Sequence, residues 1–132
     1  MVPESRRQAG QWLAKARGDL ESARILFQAE SPQPETGLFH CQQAAEKALK
    51  GWLTFHEIPF LKTHDLAVLL NLCAAKEKGF QQWQESLPRL TPFATESRYP
   101  GDALEPAAED IREAEKLARE VVEFVFRTIG SN

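Results

Sequence analysis

An all-α, up-and-down antiparallel bundle of four to five helices is the fold this sequence predicts, and three observations lead there. Apolar residues recur at the helical period throughout, and no window alternates like a strand for long enough to form one. Prolines and glycines cluster between the periodic segments, at Ser31-Pro32-Gln33-Pro34, Pro59, Gly79 and Pro100-Gly101. The chain has 132 residues, enough for one domain spanning 1–132 with a real core and without disulfides or metals.

The first helix is expected from about Gln8 to Gln28, burying Trp12, Ala16, Leu20, Ala23 and Phe27. Two prolines in three residues then stop it. The second helix starts near Thr36 and ends around Phe55, with His56 as a base at its C-terminus. Thr63 is the expected N-cap of a third helix, Leu66 to Ala75. A fourth segment, Phe80 to about Ser97, contains Pro88 and Pro92 and should kink or break there. Pro106 suits the first turn of a long last helix reaching about Ile129. Its buried arc reads Ile111, Ala114, Leu117, Ala118, Val121, Val122 and Val125, with Glu109, Lys116, Arg119, Glu120 and Glu123 opposite.

Composition excludes several functional classes. A net charge of −3 gives no global basic field of the kind that drives sequence-independent nucleic-acid binding. The charge is uneven: residues 101–132 carry eight acids against four bases, whereas residues 31–100 carry seven of each. An anionic ligand would have to meet a local cluster. No stretch approaches the ~18 apolar residues of a membrane span, and nothing apolar follows Arg6-Arg7 as a secretory signal would require. Cys41 and Cys73 fall at apolar helical positions and read as small buried hydrophobes in a reducing compartment. A cytoplasmic location is expected.

The most informative stretch lies in the second helix, where the polar residues are arranged rather than scattered. Winding it at ~100° per residue puts Leu38, Cys41, Ala45, Ala48, Leu49 and Trp52 on one arc. His40, Gln43, Lys47 and Lys50 gather in a stripe nearly opposite. An imidazole, an amide and two ammonium groups at that spacing can reach one anionic or nucleobase-like partner, or simply form a solvated face. Two residues resist the plain bundle picture. Asp19 sits at the edge of the first helix's apolar arc, so it is either near solvent or the partner of a buried base. Phe39 lies off the apolar arc of its helix and needs cover.

Two loops add related chemistry. In Lys62-Thr63-His64-Asp65-Leu66, His64 falls at a helix start, where backbone N–H groups and the dipole favour an anion; alternatively it packs or caps. In Arg98-Tyr99-Pro100, the guanidinium offers a fork for phosphate and the phenol a face for a base. Arg98 could equally pair with Asp19 or Asp102 and pin its loop. Three histidines without a Cys-x-x-Cys leave no metal-ligand set, and neither a nucleophile elbow nor a phosphate loop occurs.

The pattern His40-x-x-Gln43-Ala44-x-Glu46-Lys47-x-Leu49-Lys50, followed by Thr63-His64-Asp65-Leu66 and Arg98-Tyr99-Pro100, resembles the HEPN domain family. The likeness runs from about Trp12 to the last helix. It implies an antiparallel helical bundle that dimerises and is often encoded beside a minimal nucleotidyltransferase. Family members either bind nucleotides or cut RNA. Nuclease members carry an Arg, four to six residues and a His, the pair from two subunits facing one RNA phosphate. Here the places after Arg98 hold Ala103, Leu104 and Glu105, and no histidine follows His64.

The expectation is therefore a non-enzymatic HEPN-like subunit, a homodimer without cofactor or metal. It would bind a nucleotide or RNA and act with a separate nucleotidyltransferase in a toxin–antitoxin-like pair. His40, Gln43, Lys47, His64, Arg98 and Tyr99 are its candidate ligand-binding residues. Lys47 and Arg98 would take phosphate charge, Gln43 and Tyr99 would read or stack the base, and His40 and His64 would supply hydrogen bonds. Two alternatives stand beside it: an RNA-cleaving enzyme with His40 or His64 beside Arg98, and a dimerisation scaffold whose polar residues form a structural network.

Overall fold

Among the described residues, the second of four α-helices runs through one shared core to which every other element contributes. The structure, a computed structural model, describes residues 3–95 and 106–130. Arg98, Tyr99 and Asp102 lie outside the described residues. The α-helices are α1 (Glu4–Gln28), α2 (Pro34–Phe55), α3 (Leu66–Lys76) and α4 (Ala108–Thr128). Between α3 and α4 run two 3-10 helices, η1 (Lys78–Trp83) and η2 (Leu87–Ala94). No strand occurs among the described residues, and none of their helices is long and apolar enough to cross a membrane.

Several boundaries differ from the sequence expectation for local reasons. Pro34 occupies the first turn of α2, where its missing N–H costs nothing. The N-cap of α3 is Asp65, whose Oδ1 accepts from the Ala67 N–H at 2.9 Å; Thr63 instead accepts from the Asp65 N–H at 3.0 Å. A carboxylate complements the helix N-terminus better than a hydroxyl, so Asp65 wins the position. Pro88 and Pro92 leave the expected fourth helix as 3-10 turns, since a proline inside an α-helix removes one bond and clashes with the carbonyl four residues back. Pro106 precedes the N-cap Ala107 rather than entering the first turn of α4. There the Asp110 carboxylate accepts from the Ala107 N–H at 3.2 Å.

α2 is buried on most of its circumference, including Leu38, Cys41, Ala45, Leu49 and Trp52 on the apolar side. α1 packs closely along one flank and α4 along another, whereas α1 and α4 meet each other far less. Ala9, Leu13, Ala16 and Ala23 are the buried apolar residues of α1; Trp12, Leu20 and Phe27, expected inside, are half-buried. The arc expected for α4 is buried except for half-covered Ile111. Both cysteines are buried, which pushes the Cys41 thiol up to about 12 and raises Cys73 as well. Past α2, Glu57 adopts a left-handed φ of 56°, and the Ile58 and Glu57 N–H groups close back onto the Leu53 and Thr54 carbonyls.

Two glycines set how near α1 approaches α2. A Cβ on Gly37 would lie 2.3 Å from a Phe27 ring carbon, and one on Gly51 would lie 2.9 Å from Leu13 Cδ2. Gly10 and Gly18, on exposed positions of α1, have nothing within 4 Å of that point. Denaturant melts should therefore separate the four. Gly10→Ala and Gly18→Ala should each stabilise by about 0.5–1 kcal/mol through helix propensity. Gly37→Ala should destabilise by about 1–2 kcal/mol, because overpacking against a rigid ring outweighs that gain.

Candidate functional site: the polar face of the central helix

α2 carries its polar residues on one side, and two carboxylates organise them. The first is Asp19 of α1, which sits 8% exposed at the α1–α2 seam. His40 Nδ1 lies 2.7 Å from Asp19 Oδ1, and Lys47 Nζ lies 2.6 Å from Oδ2. Because an ionised carboxylate can only accept, Nδ1–H of His40 donates. The side chains of His40 and Lys47 are 24% and 21% exposed, so both keep an edge at the surface. Of the two readings of Asp19, the structure takes the partner of a base. Phe39 is half-buried, with its ring edge-on to His40 at 5.2 Å.

The second carboxylate is Glu46, buried within α2's own polar face. Lys50 Nζ donates to its Oε2 at 2.9 Å. Its Oε1 meets His64 Nδ1 at 2.8 Å and accepts from Gln42 Nε2 at 3.1 Å. Gln43 Nε2 donates to Gln42 Oε1 at 2.7 Å and reaches Glu46 Oε1 at 3.5 Å. Burial pushes the Glu46 carboxyl up, but the hydrogen bonds from Lys50, His64 and Gln42, with the Lys50 charge, outweigh it and hold it below the usual range. Lys50 is itself buried, with its ammonium 5.5 Å from the Trp12 ring centroid and 6.0 Å from that of Phe60.

Four of the six candidate residues thus fall into two neighbouring groups. His40 and Lys47 meet at Asp19, while Gln43 and His64 meet at Glu46. Two expected roles change. Lys47 is neutralised by Asp19 in a close ion pair, so it does not stand as a free cation for phosphate. His64 turns back onto α2, and its side chain, 67% exposed, does not share a helix start with an anion, because Asp65 already holds that place. Arg98 and Tyr99, and with them the pairing of Arg98 with Asp19 or Asp102, lie outside the described residues. His56 stacks on Trp52 with centroids 4.1 Å apart, and burial, with the Lys76 charge, lowers its pKa.

Sequence reasoning missed Gln42, Glu46 and Lys50 as one unit. They stand four residues apart in succession, and that column was the available signal. Among the described residues no group of three or more His, Cys, Asp or Glu side chains is placed to hold a metal. Chemically, the face offers two carboxylate-oriented imidazoles and an amide to a partner, with its buried charges already balanced.

The sequence matches the HEPN domain family over residues 9–129. The fold is similar to the crystal structure of an archaeal HEPN homologue, with a TM-score of 0.68 and 28% sequence identity. That match covers 92% of this chain and 97% of the other. No functionally curated protein matches significantly.

Glu46 generates a stability prediction. Its carboxyl titrates lower in the folded protein than when unfolded, so the stability it contributes is full above pH ~4.5 and is lost as the pH falls through the folded value. Glu46→Gln should remove that acid slope. It should also cost about 3 kcal/mol at neutral pH, because Lys50 is left as a buried unpaired charge. Chemical denaturation of both proteins between pH 3 and 7 reads both effects.

Proposed function

The chain belongs to the HEPN domain family, and on that premise we propose that it is a non-enzymatic subunit that binds a nucleotide or RNA end along the exposed edge of α2. In this reading it is a cytoplasmic homodimer acting with a separate minimal nucleotidyltransferase, in a pair of the toxin–antitoxin kind. The observation that carries the reading is the orientation of His40 and His64. Each ring is fixed through Nδ1 by a carboxylate and keeps part of its surface exposed, with Gln43 and Lys47 on the same polar face of α2.

The neutrality of this face shapes what it would recognise. Lys47 and Lys50 are balanced by Asp19 and Glu46, so contacts are mainly hydrogen bonds to a base edge or ribose hydroxyl. Phosphate charge then falls chiefly to Arg98, with Tyr99 as the stacking partner for a base. A second reading is favoured by a specific observation: Glu46 and Lys50 have side chains only 4% and 6% exposed. Those inner members are structural, and in a pure dimerisation scaffold the outer members would be structural too.

Cleavage of RNA requires a group to take the attacking proton and another to protect developing charge, each typically worth ~10²-fold or more. The sequence supplies no histidine after His64, so Arg98 has no partner at the family's nuclease spacing. Titration of the protein with ATP and with a short single-stranded RNA should give weak binding. Gln43→Ala and Arg98→Ala should each weaken it by about three- to tenfold while the protein still melts cooperatively. RNA recovered from the same mixtures should be intact. Multiple turnover abolished by His40→Ala or His64→Ala would establish the nuclease alternative, and no binding at millimolar ATP or RNA would leave the scaffold.

A further inference from the structure

α2 ends in a histidine that its polar face does not use. His56 is the C-cap residue, and its half-buried ring lies against Trp52 and edge-on to Phe55, with centroids 4.1 and 5.2 Å away. The ring also donates to the backbone of Ile129, the C-cap of α4, so the ends of two helices meet on it. Its Nε2 is buried without a hydrogen-bond partner among the described residues, as is Nε1 of Trp52. Nδ1 therefore carries the proton of the neutral ring, and Nε2 is the bare nitrogen. A second proton has to go to Nε2, where nothing accepts the new N–H and the charge is desolvated. The carbonyl end of a helix ordinarily favours a cation. Here burial, and then the Lys76 ammonium at the end of α3, outweigh that help. The Ile129 backbone and the Glu77 carboxylate at the N-cap of η1 act the other way, with less effect.

The residues after His56 give its ring leverage. Glu57 takes the left-handed φ of 56° and donates to the Thr54 carbonyl at 3.1 Å, while the Ile58 N–H donates to the Leu53 carbonyl at 2.9 Å. The same connection brings the Phe60 ring to 6.0 Å from the buried Lys50 ammonium and His64 to Glu46. An imidazole thus holds each end of it. On the other side of the ring, the last turn of α4 closes with the Ile129 N–H donating to the Val125 carbonyl at 2.8 Å. A ring driven out by its own charge gives up the Trp52 stack and the Ile129 bond in one step.

We propose that His56 is an acid-sensitive latch: neutral, it clasps the start of the α2–α3 connection to the end of α4, and protonated, it lets both go. This holds whatever the polar face binds. Because the folded ring takes its proton less readily than the unfolded one, the latch is fully closed above pH 6.5 and is lost as the pH falls through the lower folded value. Hydrogen exchange read by NMR between about pH 7.5 and 4.5 measures it. Protection of the Glu57, Ile58 and Ile129 amides, corrected for the intrinsic pH trend, should fall at least about fivefold while amides in the middle of α2 keep theirs. Lys76→Gln should move the transition to higher pH, and Glu77→Gln to lower pH. His56→Gln, neutral throughout, should give a flat profile. Wild-type protection that ignores pH, or a His56→Gln profile that matches a sloping wild type, would overturn the latch. Should His56→Gln fail to fold, a transition unmoved by Lys76→Gln overturns it equally.

Discussion

Two internal carboxylates let α2 be buried on its polar side as well as its apolar one, and the packing of the other helices depends on that. A lysine with 6% side-chain exposure is tolerable only because Glu46 meets it directly and Trp12 and Phe60 give their rings to its charge. Asp19 does the same work between helices, drawing His40 and Lys47 of α2 to α1. With Phe27 against Gly37 at one end and Leu13 against Gly51 at the other, Asp19 completes three contacts in reverse order along the pair. An antiparallel register fixed at both ends and in the middle leaves little freedom to slide. A shift by one turn would strand a carboxylate in the seam and drive a ring into a backbone.

Much of this was legible in the sequence, and the failures have physical causes. The apolar arc of α4 could be read because its residues face one packing surface and obey a single period. The stripe on α2 was found for the same reason, but spacing says only which residues share a side, not what covers it. His40 and Lys47 lie 21 and 28 residues from Asp19, and no local pattern encodes a partner that distant. Glu46 stood in the family pattern but was given no role, because a helical glutamate four residues before a lysine is ordinarily a surface pair worth a few tenths of a kcal/mol. Here His64, arriving from the next connection, and Gln42 turn that pair into a buried centre. At Thr63 and Asp65 two good caps stood two residues apart, and charge decided between them. Arg98 and Tyr99 lie outside the described residues, so their part of the reading rests on sequence.

The placement of the two faces on α1 bears on what the protein can do. Asp19 is roughly 140–200° around the helix from Arg17, Glu21 and Arg24 at ~100° per residue. The seam that holds His40 and the groove between α1 and α4 are thus opposite flanks of one helix. The nuclease arrangement that the family resemblance implies needs basic groups from two subunits converging on one phosphate. The face of α2 instead presents a hydrogen-bonding edge whose charges are already balanced by Asp19 and Glu46. Such an edge suits recognition of a base or ribose, not stabilisation of developing phosphate charge, and the missing histidine after Arg98 points the same way.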